Sequence, residues 1–135
     1  MAITNTAVFP QNPVISTALV VAADDLTSAP ANTLLLVTAG VNGAEVSSVT
    51  AVPRATVADS CLHLFVSKDT GTTKILIGSV LMSSHTVAND TAIPVTDFGY
   101  TETLSILLGA NDRLYAGSAV ALSAGLAFTA LSVDL

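Results

Sequence analysis

Charge is what this chain has least of. Only 10% of its 135 residues are Asp, Glu, Lys or Arg, against roughly a quarter in an ordinary soluble domain. The basic residues are Arg54, Lys68, Lys74 and Arg113, each standing alone. Binding nucleic acid requires clustered cations that displace phosphate counterions, so the sequence gives no nucleic-acid partner. A single cysteine, Cys61, excludes an internal disulfide framework. Tryptophan is absent and aromatics make up 4% of residues, which leaves little for stacking against sugars. No sustained three-four spacing of apolar residues supports long helices. Neither a Gly-x-Ser-x-Gly elbow nor a Gly-rich phosphate loop ending in Lys-Ser/Thr occurs.

Long hydrophobic runs are also scarce. Val14 to Ala23 is apolar but too short to cross a bilayer. Tyr115 to Val133 carries no charge, but it holds Gly117, Gly125 and many small residues and divides at Ser123-Ala124-Gly125. It reads better as two strands than as a membrane helix. The first basic residue is Arg54, so the start of the chain has no charged n-region of a secretory signal. No membrane partner is expected.

What the chain does have is apolar residue. Hydrophobic types make up 51%, mean hydropathy is +0.71 and the net charge is −6. A free monomer of this composition would be sticky, because isolated proteins rely on charge to stay apart. Much of the surface is therefore expected to face other subunits, which favours an assembly protein over an enzyme.

The length fits one domain. Runs of Val, Ile, Thr and Leu of strand length are bounded by Gly, Asn, Asp and Pro, the pattern of an all-β chain. Roughly eight such runs predict a single-domain antiparallel β-sandwich, jelly-roll-like. Residues 1–13 read as an extended N-terminal arm, because Phe9-Pro10 and Asn12-Pro13 oppose regular pairing. Residues 14–135 form the sandwich. Strands are expected at 14–22, 33–38, 45–52, 60–67, 74–82, 103–108, 113–121 and 126–134. Asn42-Gly43 predicts a hairpin between the second and third. Asp69-Thr70-Gly71 turns the 60–82 hairpin, flanked by Lys68 and Lys74 as solubilising charges. The irregular stretch 83–100 is long enough to cross between sheets, and 113–121 pairs with 126–134 in a last hairpin.

Chemistry is thinly supplied. Cys61 and His63 lie two apart on a strand and face the same way, yet the only other histidine is His85. A buried thiol beside a rim histidine is the better account than a nucleophile pair or half a zinc site. If exposed, Cys61 is a candidate for an intermolecular disulfide. Asp24-Asp25, Asp69-x-Gly71 and Asn111-Asp112 are explained by loops and turns rather than by metals. Asn89-Asp90-Thr91 matches a glycosylation acceptor but, without a secretory signal, marks only a polar loop. No catalytic, cofactor or metal residues are assigned. Phe65 and Phe128 are expected in the core. Phe9 with Pro10, and Phe98 with Tyr100, are candidate intersubunit anchors, the alternative being that they close the ends of the sandwich.

Several segments carry a resemblance. They are Thr6-Ala7-Val8-Phe9-Pro10-Gln11, Asn32-Thr33-Leu34-Leu35-Leu36-Val37-Thr38-Ala39-Gly40, Thr70-Gly71-Thr72-Thr73-Lys74, Asp97-Phe98-Gly99-Tyr100 and Asn111-Asp112-Arg113-Leu114-Tyr115-Ala116-Gly117. In texture and order they resemble small virion structural proteins of tailed bacteriophages. The resemblance implies a capsid decoration (cement) protein, a homotrimer on the outer shell whose partner is the major capsid protein. Such a protein is made in the host cytoplasm, ends on the capsid exterior and uses no cofactor. A tail, neck or head-fibre component is the alternative within that class. A ligand-binding or hydrolytic β-sandwich is the alternative outside it.

Overall fold

Short apolar runs separated by turn residues become nine strands in the computed structural model, which describes residues 12–24 and 30–135. The strands are β1 (Asn12–Val20), β2 (Leu34–Thr38), β3 (Ala44–Pro53), β4 (Ser60–Ser67), β5 (Ile75–Met82), β6 (Thr96–Asp97), β7 (Ile106–Leu108), β8 (Arg113–Ser118) and β9 (Leu126–Asp134). There is no helix among the described residues. The expected all-β sandwich is present.

All pairing is antiparallel and divides into two sheets. In the first, the order is β1-β9-β3, and the far edge of β3 is shared by β7 at Ala44–Val46 and β6 at Thr50–Ala51. The second has the order β2-β8-β4-β5. Apart from the β4–β5 hairpin and the β6–β7 segment, every connection passes from one sheet to the other. Consecutive strands therefore lie mostly in opposite layers.

That arrangement corrects two sequence expectations. Asn42-Gly43 does make a tight turn, with Gly43 at φ 90° and Gly43 N–H donating to Gly40 O at 3.1 Å. However, it passes the chain between sheets, since β2 pairs with β8 and β3 with β9. Asn42 does not take positive φ, so the mirror-image two-residue hairpin turn is not formed. Likewise β8 and β9 are not a hairpin. Gly125 turns the chain at φ 90°, and β9 crosses to lie between β1 and β3.

Boundaries shift for physical reasons too. β1 starts at Asn12, with Pro13 opposite Val133, a position open to a residue without an N–H because β1 is an edge strand. The strand expected at 103–108 shrinks to Ile106–Leu108, since Thr101 and Leu104 close a local turn by exchanging backbone hydrogen bonds at 3.1 and 3.2 Å. The hairpin of β4 and β5 forms as expected, with a bulge opposite Leu64 and Phe65.

The core lies between the sheets. Val46, Val49, Ala51, Leu126, Phe128 and Ala130 face Leu62, Leu64, Leu114 and Ala116, all fully buried. Burying each large side chain of this kind contributes about 1.5–3 kcal/mol. Alternation along β9 puts Leu126, Phe128 and Ala130 inward, while Leu131 is exposed on the outer face. In β4 and β8 the alternation fails. His63, Phe65 and Ser67 point away from the core yet are buried, because chain crosses the outside of this sheet. Gly117 permits the approach: a Cβ there would sit 3.0 Å from the Thr33 methyl and 3.4 Å from Phe65.

Candidate interaction surfaces

Of the four candidate anchors, Phe9 and Pro10 lie outside the described residues. Phe98 and Tyr100 are half-buried and pack against the core. The Phe98 ring is 6.2 Å from that of Phe128, and its N–H donates to Val49 O at 3.0 Å. Tyr100 stands over β5, with its hydroxyl 3.0 Å from where a Cβ on Gly78 would be. These two aromatics cover the side of the sandwich where β5 and β6 approach.

Cys61 is a free, exposed thiol on the outer face of β4, opposite Leu81 on β5. His63 shares that face but is buried, between Ser79 of β5 and Gly117 of β8 in register. Its ring meets Phe65 edge-on at 6.2 Å, and its Nδ1 has no hydrogen-bond partner. Burial pushes the imidazole below its ordinary 6.5, with the charge of Asp24 opposing. Asp24 fastens the β1–β2 connection: its N–H donates to Ser118 O at 2.8 Å, and its carboxylate accepts from Asn32 N–H at 2.8 Å. Cys61 and His63 thus share a face but differ in environment, and no group of three His, Cys, Asp or Glu gathers as a metal site among the described residues.

The β4–β5 tip is built around turn chemistry. Asp69 accepts from Thr73 N–H and from the Ser67 hydroxyl, both at 2.8 Å, which hold its carboxyl below the usual range. Lys68 pairs with Asp112 at 2.8 Å, and the same carboxylate oxygen accepts Gly109 N–H at 2.9 Å. The Lys68 hydrogen bond is the main cause that lowers the Asp112 pKa. Lys74 lies 4.6 Å from the centre of the Tyr115 ring and donates to Pro30 O at 3.3 Å. These lysines tie loops to the sheet, a role beyond the solubilising one expected. Beside the tip is an open cleft of about 480 Å³ lined by Val66, Lys68, Asp69, Thr73, Ile75 and Ile77. Its two charged groups are already committed, to Asp112 and to the turn, so the cleft offers mainly apolar contact.

The larger unclaimed surfaces are neutral. On the outer face of the first sheet, Thr17, Thr129 and Thr50 stand in one row across three strands, flanked by the Ile15–Leu131 pair and by Leu19, Ala127 and Val52. On β5, Ile75, Leu76, Ile77 and Leu81 are all exposed, and the strand holds no charge. Sequence reasoning weighed aromatics as anchors and passed over these aliphatic edges, although the uncharged run ILIGSVLM was their signal. Comparison with protein-family models, with curated proteins and with solved structures found no match.

Proposed function

We propose that this chain is a non-enzymatic structural protein of a phage particle, which binds the outside of the capsid shell as an oligomer and stabilises it. The observation that carries the reading is a rigid β-sandwich whose exposed edges and outer faces are apolar or hydroxyl-bearing instead of charged. Such surfaces make repeated close contacts with few charges to desolvate. Modest contacts suffice when many copies act together on a closed lattice. We read the strand order, with its connections folding twice across the two layers, as a jelly roll, an architecture used by viral shells as well as by lectins and cupins. That support is analogy of fold; the sequence resemblance to decoration proteins adds the particle, the major capsid protein as partner and the homotrimer.

The test is the copy number of the chain in density-purified particles from its source, by quantitative mass spectrometry against the major shell protein. A ratio near one, or another simple fraction of the shell lattice, is expected. A few copies to some tens per particle would move the chain to the tail, neck or a head fibre. Absence from particles would reject the virion reading.

A further inference from the structure

The exposed aliphatic side chains are not spread evenly. Of the large hydrophobic residues left exposed, Ile15, Leu19 and Val21 lie on or just after β1, and Leu34 and Leu35 lie on β2. Ile75, Leu76, Ile77 and Leu81 lie on β5, and Val95 just before β6. β1 and β2 are the edges on one flank of the sandwich, in contact across the layers, and β5 and β6 meet on the opposite flank. The molecule thus carries two apolar flanks on opposite sides.

The edges of these flanks are unevenly protected. Single-chain β proteins blunt their edges with charge, brevity or bulges, since an unpaired edge is a template for another strand. The β6/β7 edge is broken into pieces of two and three residues, and β2 has five residues with a bulge. β1 and β5 have nine and eight residues, no charged residue, and only one sheet partner each among the described residues. Their lengths match, and both strands alternate or combine apolar residues with Ser, Thr and Gly.

We propose that copies of this chain associate side by side, the β1/β2 flank of one packing against the β5/β6 flank of the next, with β5 accepting β1 as an added strand. The occupant is a second copy because of charge. Copies bearing a net charge of −6 repel one another everywhere except through surfaces without charge, and β1, β2 and β5 contain none. A basic partner would instead seek carboxylates, which the two long edges do not offer. Two different flanks meeting is a heterologous contact, which closes into a ring or continues as a row according to the rotation per step. An interface of standard size takes about 800 Å² per partner, roughly a tenth of the 7420 Å² that the chain exposes. The inference rests on the structural reading above for its use, but its test needs only purified chain, so its failure and the failure of particle binding are separable.

The experiment uses two variants of the full chain, Leu76→Lys with Leu81→Lys on β5, and Ile15→Lys with Leu19→Lys on β1. Molar mass is read by light scattering and native mass spectrometry, with circular dichroism and thermal melting reporting the fold. The wild type is expected as an oligomer, and each variant alone as a folded monomer. A one-to-one mixture of the variants is expected to give dimers, since each keeps the flank that the other has lost. A wild type monomeric at about 100 µM would overturn the proposal. So would a β1 variant that stays oligomeric, or a mixture of folded variants that never associates. Should either lysine pair unfold the chain, the milder Leu81→Thr and Ile15→Thr variants repeat the mixture, with at least a tenfold weaker self-association expected for each.

Discussion

At pH 7 the His63 imidazole is neutral, held so by burial on the covered face of β4. In the unfolded chain it takes up a proton near 6.5, and in the folded chain only at lower pH. Between those two values the unfolded state binds more protons, so stability falls as pH drops through 6.5. The melting temperature is expected to decline from pH 7.5 to 5.5, and His63→Gln to flatten that decline; identical slopes in the two proteins would remove His63 from the account. Asp112 and Asp69 act in a separate window. Their folded pKa values lie below 3.8, so their contribution holds above that value and is lost on further acidification. The pair Lys68–Asp112 is unequal, because the lysine side chain is 77% exposed and the aspartate 9%. Lys68→Ala is expected to cost about 0–1 kcal/mol, as surface ion pairs do. Asp112→Ala also leaves Gly109 N–H without its acceptor, and about 1–3 kcal/mol is expected in denaturant titrations. A larger loss for the lysine variant would reverse that assignment.

Among the elements, those set by local chemistry were legible in the sequence. The β4–β5 hairpin follows from Asp69-Thr70-Gly71, where Thr70 and Gly71 take φ 61° and 98°, and where a side chain on Gly71 would run into the Tyr115 hydroxyl. Turns at Asn42-Gly43 and Gly125 were also visible, but a tight turn says nothing about which sheet receives the next strand. That choice is made by contacts distant in sequence, such as Ala44 opposite Asp134. β6 was invisible because two residues carry no periodicity. The covered outer face of β4 had a signal in the continuous run Cys61-Leu62-His63-Leu64-Phe65-Val66, since a strand covered on both sides does not alternate. Hydrogen exchange should rank these elements. Amides of β3, β4, β8 and β9, paired on both sides, are expected to exchange slowest, and those of β6 and β7 fastest. Equal protection across all strands would contradict the sheet order.

For the whole molecule, the first described strand closes against the last, Asn12 opposite Asp134, and no sheet forms from neighbours in the chain except at β4–β5. Folding of such a topology waits on long loop closures, so refolding in milliseconds to seconds is expected by stopped flow, well behind helical proteins of this size. The candidate surfaces were half legible at this scale. Low charge announced that neighbours were needed, but composition has no address, and only the sheet order puts β1 and β5 on opposite flanks. The closing pair also sets how the protein answers to mechanical load. Because β1 and β9 run antiparallel, tension applied between residues 12 and 134 reaches their ladder one rung at a time from the Asn12–Asp134 end. The domain would peel like a zip under a pull at that corner, whereas the same pull directed along opposing ends of β1 and β9 would strain the whole ladder at once.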